Sequence, residues 1–246
     1  MGVGEIAAIL LIGVFSALIK AITGMGYPII LVPVAALFVP IADAIIFVSL
    51  SNFVLNAMLA WGARHARQAI PGLSYFLGFS ILGGIIGSVM LPHLPELLIR
   101  LLLIAIVVGY LGNRLRSPHW QIPPRQQVVL SPIVGCLAGV FQGAGGVSGP
   151  IISPWYLSFK LSRSAYIFAI TSVFAVSGLA QIVVLALQGS FTSDLTRVAL
   201  LLVPGTLAAQ PIGLRLREKL SAKVFDSSVV TILIASALSI LVKILF

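Results

Sequence analysis

Charge is what this chain most lacks. Only 9% of its 246 residues are charged, fifteen Lys or Arg against six Asp or Glu. A soluble domain carries about 25% charged residues and about 45–50% apolar ones. Here 59% are hydrophobic and the mean hydropathy is +1.15. So few charges cannot cover a water-soluble globule of this size, which excludes soluble and disordered classes. The single cysteine, Cys136, excludes an internal disulfide framework. The three histidines, His65, His93 and His119, fall at edges of apolar runs, and no metal or cofactor is expected. The net charge of +9 is dispersed at the ends of those runs rather than gathered in a stripe, which argues against nucleic acid. The composition is that of an integral membrane protein whose first partner is the bilayer.

The N-terminus has an acid, Glu5, and no basic segment, so the first apolar run reads as mature structure and not as a cleaved signal. About 20 apolar residues cross a hydrocarbon core. Six runs have that length: 44–62, 69–91, 94–112, 164–187, 195–214 and 224–245. Two more, 5–38 and 128–159, are too long for one span and short for two. Each is broken near its middle by glycine and proline, at Thr23–Pro28 and at Gln142–Pro150. Arms of roughly thirteen to eighteen residues, about 20–27 Å as helix, predict re-entrant hairpins that turn inside the membrane.

The placement of charge favours hairpins. If all eight segments crossed, the loop cations would divide six and six. With hairpins, Arg64, Arg67, Arg114, Arg116, Arg125, Lys160, Arg163, Arg215, Arg217, Lys219 and Lys223 share one face, while Glu5, Asp43, Glu96 and Asp194 lie on the other. Such asymmetry marks a cytoplasmic and an external face. It predicts both termini outside a cell inner (plasma) membrane.

The two halves also match in order. Gly13 and Ala17 correspond to Gly135 and Gly139, and Pro28-Ile29-Ile30 to Pro150-Ile151-Ile152. After one residue of slippage, Ala44, Phe47, Ser51 and Phe53 correspond to Ala165, Phe168, Ser172 and Phe174. The expected architecture is all-α: two inverted repeats, 1–113 and 128–246, each a re-entrant hairpin plus three transmembrane helices. A Pro-rich cytoplasmic linker, 114–127, joins them. Inverted repeats with broken helices are a recurring transporter plan.

Two glycine-rich breaks, each followed by proline and an apolar helix and each opening one half of a small polytopic chain, resemble the sulfite exporter TauE/SafE family. The second copy is the closer match, with Gly135, Gly139, Gly143-Ala144-Gly145-Gly146 and Pro154. The first has Ala17 for a helix glycine, Lys20 within the apolar run, and Met25 between Gly24 and Gly26. The resemblance implies a transporter of small sulfur-containing anions such as sulfite or organosulfonates, sulfoacetate among them.

After each break a helix restarts near a proline, a residue suited to the first turn. Unpaired first-turn N–H groups at the positive end of the helix dipole form a site for a small anion. The candidate substrate-binding residues are Lys20, Thr23, Gly24, Gly26, Asn52, Gln142, Gly145, Gly146, Ser148 and Gln210. Lys20 is the only cation expected deep in the membrane, whose alternative is snorkelling along its arm. Asn52 and Asn56, one turn apart, face either substrate or a neighbouring helix. No acid lies inside a full span, so outward movement driven by the membrane potential through alternating access needs no coupled ion. The alternatives are an anion channel, an uptake permease for sulfur oxyanions, and, more remotely, an intramembrane serine hydrolase, since Gly146-Val147-Ser148-Gly149 spells GxSG. The hydrolase lacks a histidine after Ser148 to act as base.

Overall fold

The computed structural model describes residues 2–93 and 121–219 continuously, with only isolated positions between 94 and 120 and beyond 219. Among the described residues there are eight α-helices and no strands: α1 (Val3–Thr23), α2 (Tyr27–Ala35), α3 (Ile41–Gly62), α4 (Leu73–Met90), α5 (Pro124–Gly145), α6 (Gly149–Leu157), α7 (Arg163–Leu187) and α8 (Ser193–Lys219). Six of these, α1, α3, α4, α5, α7 and α8, are long and apolar enough to cross a membrane. The spans expected at 94–112 and 224–245 and most of the linker lie outside the described residues.

The interior and the surface exchange their usual roles. Leu11, Phe15, Val129, Ile133, Val183 and Leu200 are exposed on the outside of the bundle, whereas Lys20, Asn52, Asn56, Gln142, Gln181 and Gln210 are buried. Polar groups inside and apolar ones outside fit a hydrocarbon solvent.

Helix boundaries differ from the sequence expectation where local chemistry outweighs hydropathy. The span expected from Ala69 starts at Leu73, because Arg64–Ala69 winds as a 3₁₀ turn and Gly72 takes a left-handed φ of 69°. A Cβ at Gly72 would run into Ser131, so the turn and α5 lie against each other. The span expected to end at Leu214 continues to Lys219, with Arg215, Arg217 and Lys219 extending it past the apolar run; long basic side chains tolerate that position by reaching for water.

The arms are also unequal, which the hydropathy did not suggest. α1 has 21 residues and α5 has 22, whereas α2 and α6 have nine each. At 1.5 Å per residue the long arms measure about 32 Å and the short ones about 13 Å. α5 gains its length from Pro124–Gln127, polar residues assigned to the linker by composition; Pro124 sits in its first turn, where a missing N–H costs nothing.

The packing exchanges elements between the halves. α1 lies along α8, and α5 lies along α4. α3 and α7 pack on each other, α3 also on α8 and α7 also on α4. Both long-arm pairs run parallel. Gly13 meets Leu202 and Gly213 meets Leu18 and Ala21; likewise Gly135 meets Phe76 and Gly143 meets Ser88. In the α4–α5 seam, Cβ atoms at Gly83, Gly87 and Gly139 would strike the carbonyls of Cys136, Val140 and Ser80. The two backbones touch there, the close approach that small residues permit in membranes.

Charge separates along the bundle. At one end Ile122 N–H bonds the Ser158 carbonyl (3.4 Å), Gln127 Nε2 bonds the Ile122 carbonyl (2.6 Å), and Ala63, Ile70, Trp155 and Phe159 share a cluster with Ile122. Arg163 Nη1 bonds the Arg217 carbonyl at the same end (3.0 Å). Arg64, Arg67, Arg125, Lys160, Arg163, Arg215, Arg217 and Lys219 thus gather there. At the opposite end Val39, Ile41, Leu91, Phe191 and Leu195 belong to a second cluster. Asp43 and Asp194 occupy the first turns of α3 and α8 there, and Glu5 the first turn of α1.

Candidate functional site

The two breaks are built alike. α1 ends on Gly24 (φ 81°), whose N–H bonds the Lys20 carbonyl at 2.7 Å. α5 ends on Gly146 (φ 68°), whose N–H bonds the Gln142 carbonyl at 2.8 Å. A left-handed residue at this position stops a helix, and glycine adopts it without Cβ strain. Each chain then restarts within a few residues, at α2 from Gly26 (φ 106°) and at α6 from Ser148, with Pro28 and Pro150 in the first turns. The N–H groups of Gly26, Tyr27 and Ile29, and those of Val147, Ser148 and Gly149, take no acceptor among the described residues.

The breaks lie side by side. A Cβ at Gly149 would sit 3.0 Å from Met25 Cε, 3.5 Å from Ile29 Cδ1 and 3.9 Å from Phe174 Cζ. Across the same Phe174 ring, Lys20 Nζ stands 4.8 Å from the centroid. One aromatic ring of α7 therefore bridges the cation of the first break and the helix start of the second. Gly24 packs on Ile167 and Ile170 of α7, and Gly146 on Ile45 of α3, so each break leans on the opposite half. Each short helix is fastened to the next long helix by one hydroxyl pair, Tyr27–Ser51 (2.8 Å) and Ser153–Tyr166 (2.7 Å).

Lys20 is 1% exposed and has no carboxylate or hydrogen-bond acceptor at its ammonium among the described residues. It does not snorkel. Thr23 serves the break itself: its one hydroxyl proton lies within reach of the Ile19 and Met25 carbonyls, and its Oγ1 accepts from Met25 N–H. Ser148 Oγ donates to Gln142 Oε1 at 3.1 Å, which leaves the Gln142 amide N–H groups without an acceptor among the described residues. Gly145 is the last helical residue of α5.

Asn52 and Gln210 stand apart from the breaks in hydrogen bonding. Asn56 Nδ2 bonds the Asn52 carbonyl (2.7 Å) and its Oδ1 (3.1 Å), while Gln210 Nε2 bonds the Leu55 carbonyl (3.2 Å). Gln210 thus joins α8 to α3, and among the described residues Asn56 Oδ1 and Gln210 Oε1 are buried without donors. Gln181 makes a comparable link to the Gly143 carbonyl, just before the second break (3.1 Å).

Phe174 is the residue that sequence reasoning missed as a site residue. Its signal was present in the match of Phe53 to Phe174, but nothing in spacing alone puts an α7 ring beneath an α1 ammonium. Cation–π contact is one of the few ways to hold a cation away from water without a carboxylate.

A family model described as sulfite exporter TauE/SafE matches residues 9–240. No curated protein and no solved structure gives a match.

Proposed function

Since the chain belongs to the sulfite exporter TauE/SafE family and is a multi-pass membrane protein, we propose that it exports a small sulfur-containing anion, sulfite or an organosulfonate such as sulfoacetate, with the two breaks as its binding site. The observation that carries this reading is the Lys20 ammonium, buried over Phe174 beside two helix restarts, with no acceptor for it or for the restart N–H groups among the described residues. An anion there receives charge from Lys20, hydrogen bonds from Gln142 Nε2 and the backbone, and the positive ends of α2 and α6. A buried donor set of this kind replaces the hydration an oxyanion gives up.

The exchange of packing partners between halves supports two inverted repeats with re-entrant hairpins. The clustering of cations at one end supports a cytoplasmic face there, with both termini outside a cell inner membrane. Alternating exposure of the site then follows from movement of one group of packed helices, drawn from both halves, against another. The interior-negative potential favours exit of an anion by about 2.3 kcal/mol per charge per 100 mV. Ser148 acts as a spacer rather than a nucleophile, since its hydroxyl proton goes to an amide oxygen that cannot accept it as a base.

The test is sulfite efflux from proteoliposomes under an imposed potassium-diffusion potential, with and without a proton gradient. Efflux that scales with the potential is expected. Efflux that follows the proton gradient and ignores the potential sinks the mechanism.

A further inference from the structure

The Gly143 carbonyl lies one residue beyond Gln142, at the end of α5, where a helix has carbonyls that its own backbone cannot serve. Gly146 N–H takes the Gln142 carbonyl at 2.8 Å, and among the described residues no N–H of the break follows on to Gly143. Its donor comes from another helix instead. Gln181 Nε2 of α7 bonds it at 3.1 Å, from a side chain that is 1% exposed. A buried carbonyl left without a donor is costly, so this bond fixes where α5 stops against α7. Backbone packing closes the other side. A Cβ at Gly143 would strike the Gly84 carbonyl and Ser88 N, and one at Gly84 would stand 3.1 Å from the Ser177 carbonyl. α4, α5 and α7 thus meet at the root of Gln142, whose Oε1 accepts from Ser148 across the break.

The first break has no such tie. Thr23 serves it locally, through Ile19 and Met25, and among the described residues no side chain of another helix bonds the end of α1. The register that matches Phe53 to Phe174 sets Ala60 where Gln181 stands, and an alanine side chain has no donor. Gln181 and Phe174 are seven residues apart on α7, so they share a face. Phe174 holds the Lys20 ammonium of the first break, and Gln181 holds the end of the long arm of the second.

We infer that Gln181 is a positioning residue: it keeps Gln142 in register with the α7 ring that carries Lys20, so that both breaks reach one anion. The inference rests on the breaks being the anion site. The experiment measures sulfite binding isotherms and thermal unfolding midpoints on the purified full chain in neutral detergent. The variants are Gln181→Met, Gln142→Ala, the two combined, Ser177→Ala and Lys20→Gln. Methionine keeps the length of the glutamine side chain and cannot donate. Gln181→Met should weaken sulfite binding by about fivefold, the weight of one hydrogen bond. In the Gln142→Ala background the same change should alter affinity by less than about twofold, because the group it acts through is gone. Ser177→Ala, one turn away and losing a hydroxyl bond to the Val173 carbonyl (2.6 Å), should leave affinity unchanged. Gln181→Asn, which withdraws the amide by one methylene, should weaken binding in the same way and carries the test if Gln181→Met does not fold. The inference is overturned if Gln181→Met binds sulfite as the native chain does, or if Ser177→Ala weakens binding equally. It is also overturned if the loss is undiminished without Gln142, the mark of a purely structural role. Weakening in Lys20→Gln and Gln142→Ala but not in Gln181→Met sinks this inference alone. If neither of those two weakens binding, the assignment of the anion site fails and this inference goes with it.

Discussion

Lys20 and Gln142 hold the same place before two different helix breaks. Each gives its carbonyl to the left-handed glycine four residues on, at 2.7 and 2.8 Å, and each is about 99% buried. One break thus offers a cation and the other a neutral amide at equivalent sites. If they serve one substrate, what matters is that a single cation is present and not which half carries it. The exchanged variant Lys20→Gln/Gln142→Lys should retain a substantial share of sulfite flux in proteoliposomes, while Lys20→Gln alone loses it. Equal flux in Lys20→Gln and the native chain contradicts the assignment.

The ring beneath Lys20 has its own measurable effect. A desolvated cation–π contact contributes up to about 2 kcal/mol, and 1.4 kcal/mol is tenfold in an equilibrium constant. Phe174→Leu should weaken sulfite binding by about three- to tenfold, whereas Phe174→Tyr should leave it nearly unchanged. Binding isotherms on purified protein decide the matter.

Gly24 meets two constraints at once. Its φ is 81°, and a Cβ there would sit 2.7 Å from both Ile167 Cδ1 and Ile170 Cδ1. A left-handed alanine costs about 1–2 kcal/mol before any clash. Gly24→Ala should therefore lower thermal stability by at least that amount, and Gly24→Ala/Ile170→Val should recover only the part of the steric cost that Ile170 causes. Gly4→Ala, with nothing within 4 Å, should be silent in the same assay.

The separation of charge predicts a membrane sidedness. In a Cys136→Ser background, single cysteines at Glu5 and Phe38 should react with an impermeant maleimide added outside intact cells. Cysteines at Ala66 and Ser162 should react only after permeabilisation. Labelling of Glu5 and Phe38 from different sides removes the hairpin reading of the first segment.

Much of this was legible in the sequence because glycine and proline act locally. The breaks at Gly24 and Gly146 and the restarts at Pro28 and Pro150 depend on backbone preferences that a few residues encode. The helix ends were less so: Arg217 and Gln127 look like loop by hydropathy, yet long polar side chains at a membrane boundary lengthen helices. The overlap of the two breaks was hidden as well. The contact of Met25 with Gly149 joins positions 124 residues apart in sequence, which no local pattern encodes. Asn52 and Gln210 shared a site residue's profile, buried and polar, but the Asn52 amide oxygen accepts from Asn56 and the Gln210 amide donates to the Leu55 carbonyl, both within α3 or onto it.

The α4–α5 seam constrains how the molecule can rearrange. Carbonyls of one helix lie where side chains would otherwise stand on the other, so sliding by even one residue would drive Cys136 or Val140 backbone into a neighbour that has no room. Those two helices must travel as a single plank, and a long first arm cannot swing independently of the crossing it rides on. A movement that opens and closes the site needs its slip plane outside this seam.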